Sequence, residues 1–188
     1  MNNKLKIISG QYKSRKISIP NKPNLKPTKA FIRESLFNVI NLDKCKSSLD
    51  LFSGSGILSL EALSRGIKNI VLVEQDIELI YSIKSNLSSL GNNNITLINK
   101  DVISFLKNNK YHTFDIIFID APYNTKFLGE TLSLLRNDNY LDKNVYLYFE
   151  YSKTDKTNYK SYISDTHNIL KDLSIGDVSY TISINKNI

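Results

Sequence analysis

From residue 48 onward, short apolar runs alternate with longer stretches whose apolar residues recur every three or four positions. The runs read as buried strands and the spaced stretches as helices covering them. Strands are predicted at 48–52, 69–74, 95–99, 114–119 and 145–150, and helices at 57–65, 76–90, 102–108 and 127–136. Gly66 and Gly91 stand where the first two helices stop, a common place for a terminal glycine. The tail predicts two further strands, 169–174 and 178–184, joined by Gly176-Asp177. Strands alternating with helices build βαβ units, so the fold class is α/β, with a mostly parallel seven-stranded sheet and helices on both faces. The closing pair of strands has no helix between them and predicts a C-terminal antiparallel hairpin at one edge.

The start of the chain differs. Residues 4–19 hold two apolar stretches around Gly10, which suggests a short β-hairpin or extended arm. Pro20, Pro23 and Pro27 then interrupt regular structure. Thr28 is a candidate N-cap for a helix over 29–40, whose residues Ile32, Leu36, Phe37 and Ile40 share one face. The expected division is a basic arm over 1–27, not an independent domain, and one domain over 28–188. Asn/Lys-rich pieces at 91–94, 107–110 and 152–160 read as loops. There is no internal repeat.

Composition narrows the class. The chain has 188 residues, 41% hydrophobic and 23% charged, as an ordinary globule does. Its single cysteine, Cys45, excludes an internal disulfide and a structural Cys-type zinc site. His112 and His167 have no metal-ligand spacing to a partner, so no metal is expected. No apolar run approaches a membrane span of about 20 residues. The N-terminus shows no signal peptide, and a cytoplasmic, reducing location is expected. The net charge is +7, part of which suits an AT-rich codon bias. Its placement says more. Residues 1–29 carry Lys4, Lys6, Lys13, Arg15, Lys16, Lys22, Lys26 and Lys29 and no acidic residue, a pattern that attracts nucleic acid.

Ligands of open α/β sheets bind beyond the carboxyl ends of the strands. Four strands end in candidate groups. The first runs through Asp50-Leu51-Phe52-Ser53-Gly54-Ser55-Gly56, a glycine-rich turn into a helix. It is a plain tight turn or a ligand cradle. The dinucleotide fingerprint needs a third glycine where Ser59 stands. Asp50 suits a positively charged ligand better than a pyrophosphate. The second strand ends at Glu74, about 20 residues past the glycines, where a carboxylate can accept both ribose hydroxyls or merely cap a helix. The third precedes Asp101, which could read an adenine amino group or cap the next helix. Together these ends outline an adenosine pocket.

The fourth strand runs into Asp120-Ala121-Pro122-Tyr123. The ensemble resembles the Rossmann-like class I S-adenosylmethionine-dependent methyltransferases, and this tetrapeptide resembles their [DNS]-P-P-[YFW] motif. The fuller resemblance is to the bacterial RsmD family, which methylates N2 of a guanine in 16S ribosomal RNA. It covers nearly the whole chain. Residues 8–16, reading ISGQYKSRK, are similar to a G-G-x-x-x-G-R-x-L arm. Leu25-Lys26-Pro27-Thr28 with Ile32-Arg33-Glu34-Ser35-Leu36-Phe37-Asn38 resembles R-P-T…V-R-E-x-L-F-N. Leu60-Glu61-Ala62-Leu63-Ser64-Arg65-Gly66 resembles L-E-A-x-S-R-G, which separates this family from most methyltransferases. Ala121 departs from the first motif proline, Lys29-Ala30 from a polar stretch, and Ser9 and Ser14 from two arm glycines.

The resemblance implies roles. Asp120, Ala121, Pro122 and Tyr123 would form the transfer site, with Asp120 and the Ala121 carbonyl accepting from the amine and Tyr123 stacking on the base. Asp50, Ser53, Gly54 and Gly56 would hold the methionine end of S-adenosylmethionine, Glu74 and Gln75 the ribose, and Asp101 and Val102 the adenine. Asp120 would also border the cofactor. Thr28 and Arg33 would close over it, although Arg33 serves equally as a partner for Glu61 or Glu34. Lys13, Arg15 and Lys16 would hold RNA phosphates or form a solvated hairpin. The implied partner is 16S ribosomal RNA, within the small subunit or an assembly intermediate, met by a monomer. Two alternatives stay open: an adenine-N6 methyltransferase on DNA or RNA, and a non-catalytic RNA-binding assembly protein on the same fold.

Overall fold

The computed structural model describes residues 3–23, 25–92, 95–108, 113–141 and 144–186. His112 and parts of the loops at 91–94 and 107–110 lie outside the described residues. A hairpin of β1 (Asn3–Lys6) and β2 (Lys16–Ile19) precedes α1 (Ala30–Val39). Then follow β3 (Ser47–Leu51), α2 (Ile57–Ser64), β4 (Asn69–Glu74) and α3 (Ile77–Ser89). The chain continues through β5 (Ile95–Asn99), α4 (Val102–Asn108), β6 (Ile116–Ile119) and α5 (Phe127–Asn137). It closes with β7 (Tyr146–Ser152), β8 (His167–Ile175) and β9 (Val178–Asn185). Among the described residues, no helix is long and apolar enough to cross a membrane.

The main sheet has seven strands in the order β5-β4-β3-β6-β7-β9-β8. The first five are parallel, and β9 joins β7 antiparallel with β8 outside it. This is the α/β sheet and edge hairpin that the apolar pattern predicts. Each central strand feeds two cores, because successive side chains point to opposite faces. Ile116 and Phe118 of β6 pack in one layer with Ile32, Leu36 and Phe37 of α1 and Ile83 of α3. Ile117 and Ile119 pack in the other with Phe105 of α4 and Leu128 and Leu132 of α5. Burial on both faces is why FDIIFI is a continuous apolar run and does not alternate.

The arm is built into the first of these cores. Ile7, Ile17 and Ile19 are buried with residues of α2 and α3. Asn86 of α3 pairs with Ser18 in both directions, accepting from its N–H at 2.9 Å and donating to its carbonyl at 2.8 Å. The arm's turn crosses the end of α2. There the Ser64 carbonyl accepts from Gln11 N–H at 2.6 Å and the Ser64 hydroxyl accepts from Tyr12 N–H at 2.9 Å. Gly10 has φ +82° at this crossing, and an added Cβ would lie 1.8 Å from the Ser64 carbonyl oxygen. Only glycine permits that approach.

One expectation is corrected. Thr28 does not cap α1; Lys29 stands at that position, with no side-chain cap. Lys29 enters the helix extended, at φ −61° and ψ 149°, and the Thr28 side chain before it is buried, 5% exposed.

Candidate active site

A cavity of about 1090 Å³ opens at the carboxyl ends of β3, β4, β6 and β7, beside the start of α4. Asp50, Ser53, Gly54, Glu74, Gln75, Asp101, Val102, Asp120, Ala121, Pro122, Tyr123 and Thr28 all line it. The parallel strands end together here because their registers match: Asp50 lies opposite Leu72 and Phe118 on its two neighbours. The helices that follow turn away, so the strand ends form a concave floor.

The β3–α2 turn makes one wall. Gly56 caps α2 in the left-handed conformation, with φ +71°. Its missing Cβ leaves room for Ile83 Cγ1, which such an atom would meet at 3.0 Å. Gly56 therefore shapes the turn from behind and does not line the cavity. Ser53 uses its hydroxyl to close the turn, donating to the carbonyls of Asp50 and Val73 at 2.9 Å each. Ser59, which breaks the dinucleotide fingerprint, donates to Asp50 Oδ2 at 2.6 Å. Burial pushes the Asp50 carboxyl up to about 7, against the Ser59 hydrogen bonds and with a small contribution from the charge of Glu74.

Glu74 ties the turn to the next strand. Its Oε2 accepts from Gly54 N–H at 2.8 Å and its Oε1 from Asp76 N–H at 2.9 Å. Each oxygen keeps lone-pair capacity for a hydroxyl. Asp101 caps α4 by accepting from Ser104 N–H at 2.8 Å through Oδ1, while it also lines the cavity. At the mouth, Lys22 pairs with Asp76 and, at 2.8 Å, with Glu78. That pair draws the proline-rich segment after β2 across the opening.

The transfer end holds Asp120 and a residue that sequence reasoning missed, Glu150. The register pairs Ile119 with Phe149, so the next residues on β6 and β7, Asp120 and Glu150, emerge side by side. Glu150 is 2% exposed. Its Oε2 accepts from the Tyr123 hydroxyl at 3.0 Å, and its Oε1 accepts from the Tyr148 hydroxyl. Asp120 keeps part of its surface open to the cavity while protein crowds its other sides. Burial, then the charges of Glu150 and Asp50, hold its carboxyl well above the ordinary carboxylate range. The Thr28 hydroxyl opposes that rise in both Asp120 and Glu150. The signal for Glu150 was available: in YLYFE an apolar run meets an acid at the same end of the sheet as Asp120.

Other expected residues lie elsewhere. Arg33 does not line the cavity. It is 2% exposed and donates to Glu61 Oε1 at 2.6 Å, the structural alternative of its two readings. Lys13, Arg15 and Lys16 are exposed on the arm, outside the cavity, and Arg15 also donates to the Ser89 carbonyl at 3.1 Å. Ala121 is 3% exposed and packs in the second core. The smaller side chain is accommodated without a break in the strand end.

The donor set fits S-adenosylmethionine. Asp50, Asp120 and Glu150 crowd acidic charge into a desolvated space, which a cation between them would relieve. Glu74 and Asp101 stand at successive strand ends, where a ribose and an adenine follow one another.

A family model described as conserved hypothetical protein 95 matches residues 5–183. The chain is 39% identical over 153 residues to ribosomal RNA small subunit methyltransferase D of Buchnera aphidicola subsp. Acyrthosiphon pisum (strain APS), covering 81% of this chain and 80% of the relative. It is 37% identical over 150 residues to the protein of the same name from Escherichia coli (strain K12), covering 78% and 74%. The solved structure of the Escherichia coli protein yhhF, a candidate methyltransferase, superposes with a TM-score of 0.83 at 30% identity, over 97% of this chain and 98% of that one. The chain therefore belongs to the RsmD family of S-adenosylmethionine-dependent methyltransferases.

Proposed function

We propose that the chain transfers a methyl group from S-adenosylmethionine to the N2 amine of one guanine in small-subunit ribosomal RNA. The names of its relatives support RNA of that subunit as the substrate class. The observation that carries the finer reading is the placement of Asp120-Ala121-Pro122-Tyr123 on the same cavity as the glycine turn and Glu74.

The guanine amine is a poor nucleophile because its lone pair is delocalised into the ring. Bound S-adenosylmethionine supplies a methyl group activated on a sulfonium. The residues supply position and hydrogen bonds. The target base leaves its stack to enter the cavity. Asp120 and the Ala121 carbonyl accept from the amine N–H groups, which localises the lone pair toward the cofactor side. Tyr123 lies against the base, and such stacking contributes about 1–3 kcal/mol. Methylation leaves the amine strongly acidic, and Asp120, held above its ordinary range, takes the released proton. Lys13, Arg15 and Lys16 hold phosphates of the surrounding RNA, which sets register without reading sequence.

The test is tritiated methyl transfer to small ribosomal subunits from a strain lacking the modification, with Asp120→Ala as control and nucleoside chromatography of the digest. N2-methylguanosine that disappears in the control is the expected result. N6-methyladenosine would keep the fold and overturn the substrate. Absence of both label and cofactor binding would favour the non-catalytic assembly protein.

A further inference from the structure

We propose that Glu150 is a positioning residue of the transfer site, acting through Tyr123; the inference rests on the reading above that Tyr123 faces the target base. Tyr123 sits in the loop between β6 and α5, half-buried, and its ring is tethered through its hydroxyl. The tether is Glu150 Oε2, at 3.0 Å. Glu150 is itself held, because the Tyr148 hydroxyl donates to its other oxygen. Tyr148 is wholly buried, with its ring centroid 6.4 Å from that of Phe118 and 6.1 Å from that of Tyr180. Rigidity therefore passes from the core through Tyr148 and Glu150 to Tyr123.

Burial raises the Glu150 carboxyl, while hydrogen bonds from Tyr148, Tyr123 and Thr28 and the charge of Lys29 act against that rise. An ionised carboxylate only accepts, and here two phenols donate to its two oxygens. These two donors favour the ionised form, which is the form assigned to Glu150. A stacking ring fixed before the base arrives does not have to be ordered during binding, which lowers the cost of a productive complex.

Glu150 also acts on its neighbour. The groups facing it are Asp120 at the end of β6, Thr28 and Lys29 before α1, Tyr123 from the loop, Tyr148 on its own strand and Tyr180 opposite it on β9. Lys29 is the cation of this set and Asp120 the like charge. Asp50 adds to the field at Asp120 from β3. Because the charge of Glu150 raises the Asp120 carboxyl, removing that charge lowers it. Ionised Asp120 accepts from the amine, so the acid limb of the rate profile follows this group.

The experiment compares wild type with Tyr123→Phe, Glu150→Ala, their double variant and Glu150→Gln. Each full-length protein is checked by thermal melting and by calorimetric binding of S-adenosylmethionine. Methyl transfer to unmodified small subunits is then followed against pH. Tyr123→Phe and Glu150→Ala should each lower kcat/KM by about tenfold, the loss of one charge-assisted hydrogen bond. The double variant should be no worse than Glu150→Ala, because the two act as one unit. Glu150→Gln, which keeps the shape, should move the acid limb of kcat/KM to lower pH. A purely structural residue would leave that limb in place. Multiplying losses in the double variant, or an unmoved limb in Glu150→Gln, would overturn the proposal while leaving the function intact. Should Glu150→Ala fail to fold, the limb of Glu150→Gln decides alone. A wild type that transfers no methyl group to subunits would remove the functional reading and this proposal together.

Discussion

Arg33 Nη1 donates to Glu61 Oε1 at 2.6 Å, and through this buried pair α1, α2 and the arm meet. Arg33 also donates to the Lys6 carbonyl at 3.1 Å and the Thr28 carbonyl at 3.2 Å, and Glu61 Oε1 accepts from Ile8 N–H at 2.7 Å. Removing Arg33 leaves buried Glu61 with Arg65, whose Nε is 3.5 Å from Oε2, and removing Glu61 leaves the Arg33 charge buried without its carboxylate. Arg33→Met or Glu61→Gln should each cost about 3–5 kcal/mol of stability. The double variant should lose less than the sum, since Arg33 and Glu61 no longer leave one another unpaired, although Arg65 loses its partner in both Glu61 variants. Denaturant unfolding measures all three, and additive losses would show that the pair is not coupled.

The arm depends on one close approach. Gly10→Ala would place a Cβ 1.8 Å from the Ser64 carbonyl oxygen, so the arm must move off α2. Because Ile7 and Ile17 are core residues, melting should fall by at least about 2 °C, corresponding to roughly 1 kcal/mol in a chain of this size. Small-subunit RNA binding should weaken more than cofactor binding. A variant that melts and binds like wild type would mean that the arm is not held at this point.

Asp50 predicts a pH dependence. Burial first of all raises its carboxyl from the ordinary carboxylate range to about 7. The folded chain then holds this proton more tightly than the unfolded chain, so the contribution to stability is full below about pH 4 and is lost as pH rises to about 7. A cation beside Asp50 favours the ionised form. Affinity for S-adenosylmethionine should therefore be higher at about pH 8 than at about pH 6. Asp50→Asn should bind more weakly and with a flatter profile. Calorimetry at both values checks this, and a wild-type affinity that falls with pH would reverse the assignment.

The arm's cations predict a salt effect. Lys13→Gln and Lys16→Gln should each reduce the slope of log affinity against log salt by about 1 for small-subunit RNA, one phosphate contact apiece. Cofactor affinity should stay unchanged, because both side chains lie outside the cavity. Filter binding over a salt series measures the slope, and an unaltered slope would make these lysines ordinary solvated charges.

The apolar pattern alone determines the sheet class and, at 69–74, 95–99 and 102–108, the element bounds to the residue. Those elements end where a run of Val, Ile or Leu meets an acid or an Asn, a local signal. The strand-end rule likewise brings Asp50, Glu74, Asp101 and Asp120 to one cavity, because parallel strands in register must end together. Only the tertiary structure decided the rest. Arg33 stands equally near Glu34 and Glu61 in pattern terms, and packing of α1 against α2 selected Glu61. Thr28 has the composition of a helix cap, but the cavity turned it toward two carboxylates. Glu150 became Asp120's neighbour because β7 pairs with β6 at a sequence separation of 30, with α5 between them. Pairing over that separation depends on which surfaces are buried together, and no local run of residues encodes it.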